Sequence, residues 1–408
     1  MDSGNLAWSV AAAALVLFMT PGVAFFYGGL VKAKSVVSMM MLSFGAMGLV
    51  GVLWILYGFN MAAIGDGPTF LAGNPFSDFG LANASNDTLV SATFGATFAI
   101  ITVALISGAI ADRAKFGSWM IFAGIWATVV YFPVAAWVWG GGWIMKLGET
   151  LGFDGVSVID YAGGTAVHIN AGAAALALAL VLGKRVGFQK GIHKPHNVPL
   201  VMLGAAILWF GWFGFNAGAE GTAGLLGTPD SHVGLIIVNT LGATAAAIIG
   251  WVVVEKLKDG KSTSVGAASG AVAGLVAITP SCANLAPGWA LLLGLIAGAV
   301  CALAIELKWK LGYDDALDVV GVHLVGGLIG TLYLGFFATD TGLFLGGGVQ
   351  QLVVQFIAAV AVLIFSFVVA YVLGLVIEKT IGFRVKNEDE IAGIDTVVHG
   401  EEGYALVD

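Results

Sequence analysis

The chain has 408 residues, of which 59% are hydrophobic and only 10% charged, with a formal net charge of −8. A soluble chain carries roughly a quarter charged residues, so a mean hydropathy of +0.95 excludes an ordinary soluble domain, and the acidic balance gives no support to nucleic-acid binding. The two cysteines, Cys282 and Cys301, set no disulfide framework and read as packing residues, while 60 glycines suit helices whose backbones approach closely in lipid.

The first residues, Met1 to Asn5, carry no basic stretch, and the apolar run behind them contains Pro21 and Gly22. This reads as a retained helix and not as a removable signal peptide. Since a crossing needs roughly 20 apolar residues, about eleven spans are predicted. They begin near Ala7, Val36, Thr88, Gly117, Tyr161, Val198, His232, Val265, Pro287, Ala316 and Val349. An odd count puts the termini on opposite sides. Alternate loops hold Lys32 and Lys34, then Arg113 and Lys115, then Lys184, Arg185, Lys190 and Lys194. The same set continues with Lys256, Lys258 and Lys261, then Lys308 and Lys310, then Lys379, Arg384 and Lys386, whereas the opposite set holds only Lys146. Positive charge marks the cytoplasmic loops, so the N-terminus is expected outside. Residues 1–377 read as one membrane domain in a cell membrane, and residues 378–408 as a charged cytoplasmic tail without a catalytic domain.

Two segments share a spacing. Asp160 precedes His168 by eight residues and Asp315 precedes His323 by eight, each near the start of an apolar helix. The predicted topology runs these helices in opposite directions. This is the inverted-repeat plan of many transporters, with repeats at about 7–183 and 198–337 and a spare final helix at 349–377. His168 and His323 lie well inside spans, whereas His193, His196 and His399 fall in cytoplasmic segments and His232 at an outer helix end. Ionisable groups inside a membrane usually line an interior path, although two hydrogen-bonded core histidines would satisfy the same pattern. No further ligand has the spacing of a metal site. Asp160, Asp315 and Asp318 suit helix capping, and Asp160 could also help shape a cation site.

Aromatic residues form a second constellation. Phe94 and Phe98, four apart, share a helix face, Trp139 ends a span at the outer surface, and Trp209, Trp212 and Phe215 follow one another along the sixth span. Trp126, Trp137, Trp209 and Trp289 read as belt or packing residues. Trp139 and Phe94 could instead offer ring faces to a cation, worth about 2 kcal/mol or more once desolvated.

Four stretches, Thr20–Gly29, Asp160–Asn170, Gly211–Gly218 and Asp314–His323, give the whole chain its resemblance to the ammonium transporter family (Amt/Mep, with the Rh proteins as distant relatives), on the prokaryotic Amt side. The resemblance implies a homotrimer with one pore per subunit, ammonium or ammonia as substrate, and no cofactor or enzymatic step. It implies an outer recruitment site at Phe94 and Trp139, with Asp160 as its acidic residue. A phenylalanine gate falls on Phe98 and Phe215, and the pore on His168, His323 and Trp212. The chain departs from the pattern at Ala219, where bacterial members usually carry a serine. A charged hydrogen bond is worth about 1.5–3 kcal/mol, so outer-site affinity is expected to be weaker unless Glu220 or water compensates. The tail resembles the family's regulatory C-terminus through Gly382, Arg384, Gly393, Asp395, His399, Glu401 and Tyr404, which implies coupling to a PII-type signalling protein.

An apolar pore disfavours a bare ion, and ammonium, unlike potassium, has a proton to lose. The expected sequence is recruitment at Trp139 and Phe94, deprotonation near Phe98 and Phe215, passage of ammonia past neutral imidazoles, and reprotonation inside. An ammonium sensor with little flux and an Rh-type gas channel are the alternatives; an intramembrane hydrolase lacks a nucleophile–base pair.

Overall fold

A computed structural model describes residues 1–408 apart from 66, 69, 190–193 and 405–408, so Lys190 and His193 lie outside the described residues. The described chain is helical, with no strand beyond a single antiparallel bridge between Ala114 and Arg384. Ten of its helices are long and apolar enough to cross a membrane, and their outward faces carry apolar side chains such as Phe18, Phe44, Ile55, Phe210 and Val372. Apolar outward faces of this kind suit contact with lipid hydrocarbon.

The first five are α1 (Ser3–Leu30), α2 (Ala33–Met61), α3 (Asn86–Ile110), α4 (Phe116–Val138) and α5 (Gly164–Leu182). The next set comprises α6 (Val198–Thr222), α7 (Val233–Asp259), the shorter α8 (Ser264–Ile278), α9 (Pro287–Leu311) and α10 (Val320–Phe337), followed by α11 (Gln350–Thr380). The span expected near Val265 differs from the others. At 1.5 Å per residue α8 is only about 22 Å long, short of a hydrocarbon core of about 30 Å. It stops because the chain turns at Thr279 and Pro280, and their carbonyls accept the backbone N–H groups of Ala162 (3.2 Å) and Tyr161 (3.0 Å). Proline has no N–H with which to continue the ladder.

Small residues set the closest approaches. A Cβ on Gly298 of α9 would lie 2.1 Å from the Ala247 carbonyl of α7, and one on Gly172 of α5 would lie 2.6 Å from the Leu324 backbone of α10. Helices in lipid gain nothing from burying apolar surface against one another, so such tight packing carries their association.

The tail, with its short helix α12 (Asn387–Ala392), folds back against the loops that the sequence groups by their basic residues. Lys115 N–H donates to the Phe383 carbonyl and Val385 N–H to that of Arg113. Arg384 donates to the Leu182 carbonyl at 2.9 Å and pairs with Glu390 at 2.8 Å. Both Asp395 oxygens accept backbone N–H bonds from near the start of α2, at Val37 (3.0 Å) and Ser38 (2.7 Å). Gly382 and Gly393 take positive φ, which glycine alone adopts freely. His399 meets Phe116 edge-on, and the Tyr404 hydroxyl lies 2.9 Å from His196. Glu401 is exposed.

Beneath the tail lies a buried ionic cluster. Arg185 makes two side-chain hydrogen bonds of 2.9 Å to Asp314 and one of 3.1 Å to Asp112. Burial pushes the Asp314 carboxyl up, but the Arg185 hydrogen bonds and the charges of Arg113 and Arg185 outweigh it, so the group sits below its usual range. The Asp395 carboxyl is shifted up, by burial above all.

Candidate functional site: an aromatic cavity above a buried imidazole pair

The two Asp–His segments are built alike. Asp160 accepts four backbone N–H bonds, from Gly163, Gly164, Thr165 and Ala166, and so holds the N-terminus of α5. Asp315 accepts from Val319 (3.1 Å) and Val320 (2.7 Å) at the start of α10. A carboxylate here satisfies orphan donors and complements the helix dipole. Asp318, the other capping candidate, instead pairs with Lys308. Each segment is also anchored on the third helix of the opposite set: Ala162 N–H on the Thr279 carbonyl just past α8, and Ala316 N–H on the Ala109 carbonyl of α3 at 3.3 Å.

Both histidines then fall on wide π-helical turns, Gly164–Ile169 and Val320–Leu324, a distortion frequent at functional sites. The turns bring the rings together. His168 Nδ1 lies 3.2 Å from His323 Nδ1, with the ring centroids 5.3 Å apart. Both rings are buried, and His168 Nε2 has no hydrogen-bond partner. Trp212 stacks against His168 at 5.6 Å and 19°, its N–H committed to Thr279 at 2.8 Å. Val23, Phe26, Tyr27, Ile101, Leu208 and Val272 are among the other residues lining a void of about 10 Å³, which is on the order of one water molecule.

Phe215 lies between this void and a second, larger cavity. It stacks on Phe98 at 4.1 Å and 15°. Phe98 meets Phe94 at 4.9 Å and Trp139 at 6.1 Å, both edge-on. The larger cavity, of about 340 Å³, is lined by Phe94, Phe98, Trp139, Tyr161, Phe215 and Ala219 among others. Trp139 is fixed by its N–H bond of 2.7 Å to the Asp160 carbonyl, so the helix cap and the aromatic wall share one residue. Glu220 does not line the cavity; its carboxylate is buried behind, bonded to Tyr161, Ser231 and His232.

Several participants escape sequence reading. Gly172 and Gly327, the close-contact glycines of α5 and α10, each lie twelve residues after their Asp. The Asp–His spacing, extended by one helical turn, would have found them. Gln355 of α11 pairs with both backbone groups of Ile159, at 2.7 and 2.8 Å, and so straps the extended segment leading to Asp160. Nothing in the sequence singles it out. Among the described residues no cluster of three or more metal-ligating side chains occurs.

The fold and these two cavities define a polytopic α-helical membrane protein in which Phe215 parts an aromatic cavity from a void at paired imidazoles. The chain belongs to the ammonium transporter family: the family model described as Ammonium Transporter Family matches residues 7–404. An ammonium transporter of Mycobacterium bovis is 50% identical over 446 aligned residues, covering 99% of this chain and 90% of the relative. The Candida albicans Mep2 crystal structure superposes with a TM-score of 0.85 at 30% identity, covering 95% of this chain and 88% of Mep2. A structure titled Sensor Amt Protein superposes at 0.87 with 28% identity, covering 97% and 98%.

Proposed function

We propose that this protein moves ammonium nitrogen across the membrane by holding the cation in the aromatic cavity, stripping its proton at the Phe98–Phe215 stack, and passing ammonia along the imidazole pair. One observation carries the reading: the stacked phenylalanines separate a roomy cavity from a void with almost no free polar atoms. Tyr27 hydroxyl and Trp212 N–H both donate to protein acceptors, Leu105 carbonyl and Thr279 hydroxyl. The imidazoles and the acceptor side of the Tyr27 hydroxyl hold the capacity that remains. An ion entering there loses its hydration without replacement, at a cost of several kcal/mol. Neutral ammonia loses far less, and the imidazoles can replace its hydrogen bonds.

Cation–π contacts with Trp139 and Phe94 would favour the charged form in the cavity. The neutral form would be favoured below it. The proton then either returns to the outer solution or travels along the Nδ1–Nδ1 contact, and a transport current distinguishes these routes. By family membership we also propose a homotrimer with a pore in each subunit, N-terminus outside, and a tail that couples the cytoplasmic loops to a PII-type partner.

Ammonium uptake into proteoliposomes tests the reading. Uptake above protein-free vesicles, with no matching potassium flux, is the expected outcome. A second reading, ammonium sensing with little flux, draws on Ala219 and on the likeness to the sensor structure. Binding without uptake would select it.

A further inference from the structure

We propose that Glu220, acting through Tyr161, supplies the negative counter-charge that attracts cations to the outer cavity; this rests on the function proposed above. Tyr161 and Ala219 line the cavity, and Glu220 is the next residue along α6. Its side chain is wholly buried. All three of its partners donate: Tyr161 hydroxyl at 2.6 Å, Ser231 hydroxyl at 2.8 Å and His232 N–H at 2.9 Å. A carboxylate that only accepts satisfies every one of them without a proton of its own. Among the described residues Glu220 has no ion-pair partner.

The contrast with Asp160 sharpens the assignment. Asp160 spends its charge on four peptide N–H groups at a helix N-terminus, whose dipole largely offsets it. Glu220 sits near the other end of its helix, two residues before Thr222, where the dipole adds negative potential. The two act in the same direction at the cavity. By accepting the Tyr161 hydroxyl hydrogen bond, Glu220 also leaves the phenol oxygen free to accept, in the same cavity lining as Ala219, whose methyl offers no acceptor. Glu220 is therefore a positioning residue whose field reaches the substrate through Tyr161.

The test compares Glu220→Gln, Tyr161→Phe and Ser231→Ala in proteoliposomes, reading concentration dependence of ammonium uptake and its inhibition by caesium, a cation with no proton to lose. Glu220→Gln should raise the ammonium KM about tenfold at unchanged maximal rate and weaken caesium inhibition by a like factor, since both read charge. Ser231→Ala removes a neutral donor and should leave both near wild type. If Glu220→Gln does not insert, Tyr161→Phe, which removes only the hydroxyl, should still raise KM. Unchanged KM in Tyr161→Phe and, where it inserts, in Glu220→Gln, with wild-type uptake intact, overturns this inference and leaves the transporter reading standing. Absence of wild-type uptake defeats that reading instead, and methylammonium calorimetry on solubilised protein then decides: equal affinity for wild type and Glu220→Gln rejects the role of Glu220, and weaker affinity supports it.

Discussion

His168 and His323 face each other Nδ1 to Nδ1 at 3.2 Å, 155 residues apart in sequence. For that contact to be a hydrogen bond, one Nδ1 carries the proton and the other accepts it, so the two rings hold different tautomers. Each ring then has a free Nε2 of opposite character, one acceptor and one donor. In the conduction proposed above, such a pair hands a small hydrogen-bonding molecule along without a net charge in the wall.

The glycine behind this contact is directly testable. A Cβ at Gly172 would lie 2.6 Å from Leu324 backbone, next to His323. Gly172→Ala must part α5 from α10, and overpacking of this kind costs about 1–3 kcal/mol. We expect a lower unfolding temperature in detergent together with reduced ammonium uptake.

Asp160→Asn retains the shape of the cap but replaces one acceptor oxygen with an amide donor facing peptide N–H groups. Two of four bonds are lost, which we expect to cost about 3 kcal/mol or more. Trp139 leans on the same residue through the Asp160 carbonyl, so the tryptophan fluorescence of the aromatic cavity should change along with stability. An unaltered spectrum and melting curve would contradict this.

At the ionic cluster beneath the tail, Asp314 is held below its ordinary value, burial being outweighed by Arg185 and Arg113. A depressed carboxyl contributes stability above its unfolded value, near 3.8, and loses it as pH falls through the lower folded value. Asp314→Asn should therefore destabilise the protein by about 3–5 kcal/mol at neutral pH, the cost of leaving a buried charge half-paired. The gap to wild type should persist to about pH 4 and narrow below it. Detergent unfolding curves at pH 7 and pH 3 check the sign.

Ala219→Ser would place a hydroxyl on the cavity wall. A hydrogen bond to a cation is worth about 1.5–3 kcal/mol, so we expect ammonium affinity to rise at least about tenfold, read as a lower KM or tighter calorimetric binding.

Much of the architecture was legible because lipid imposes long apolar runs, and these were readable for every span but one. The exception, α8, ends early because Tyr161 and Ala162 need the Thr279 and Pro280 carbonyls, a demand from another part of the chain. The Asp–His register was visible, as was the shared face of Phe94 and Phe98. Hidden from periodicity were side chains that grip extended backbone or each other across distance: Gln355 on Ile159, 196 residues away, and Tyr161 on Glu220, 59 away. Such contacts leave no repeat in the sequence.

The most direct test is the current and uptake ratio for ammonium against potassium in proteoliposomes bearing wild type or His168→Ala. Conduction of ammonia past a dry imidazole pair predicts ammonium uptake without potassium flux in wild type, and in His168→Ala a ratio reduced at least about tenfold, as the alanine opens a void that admits water and leaves His323 unpaired. Unchanged ammonium selectivity in His168→Ala would contradict it.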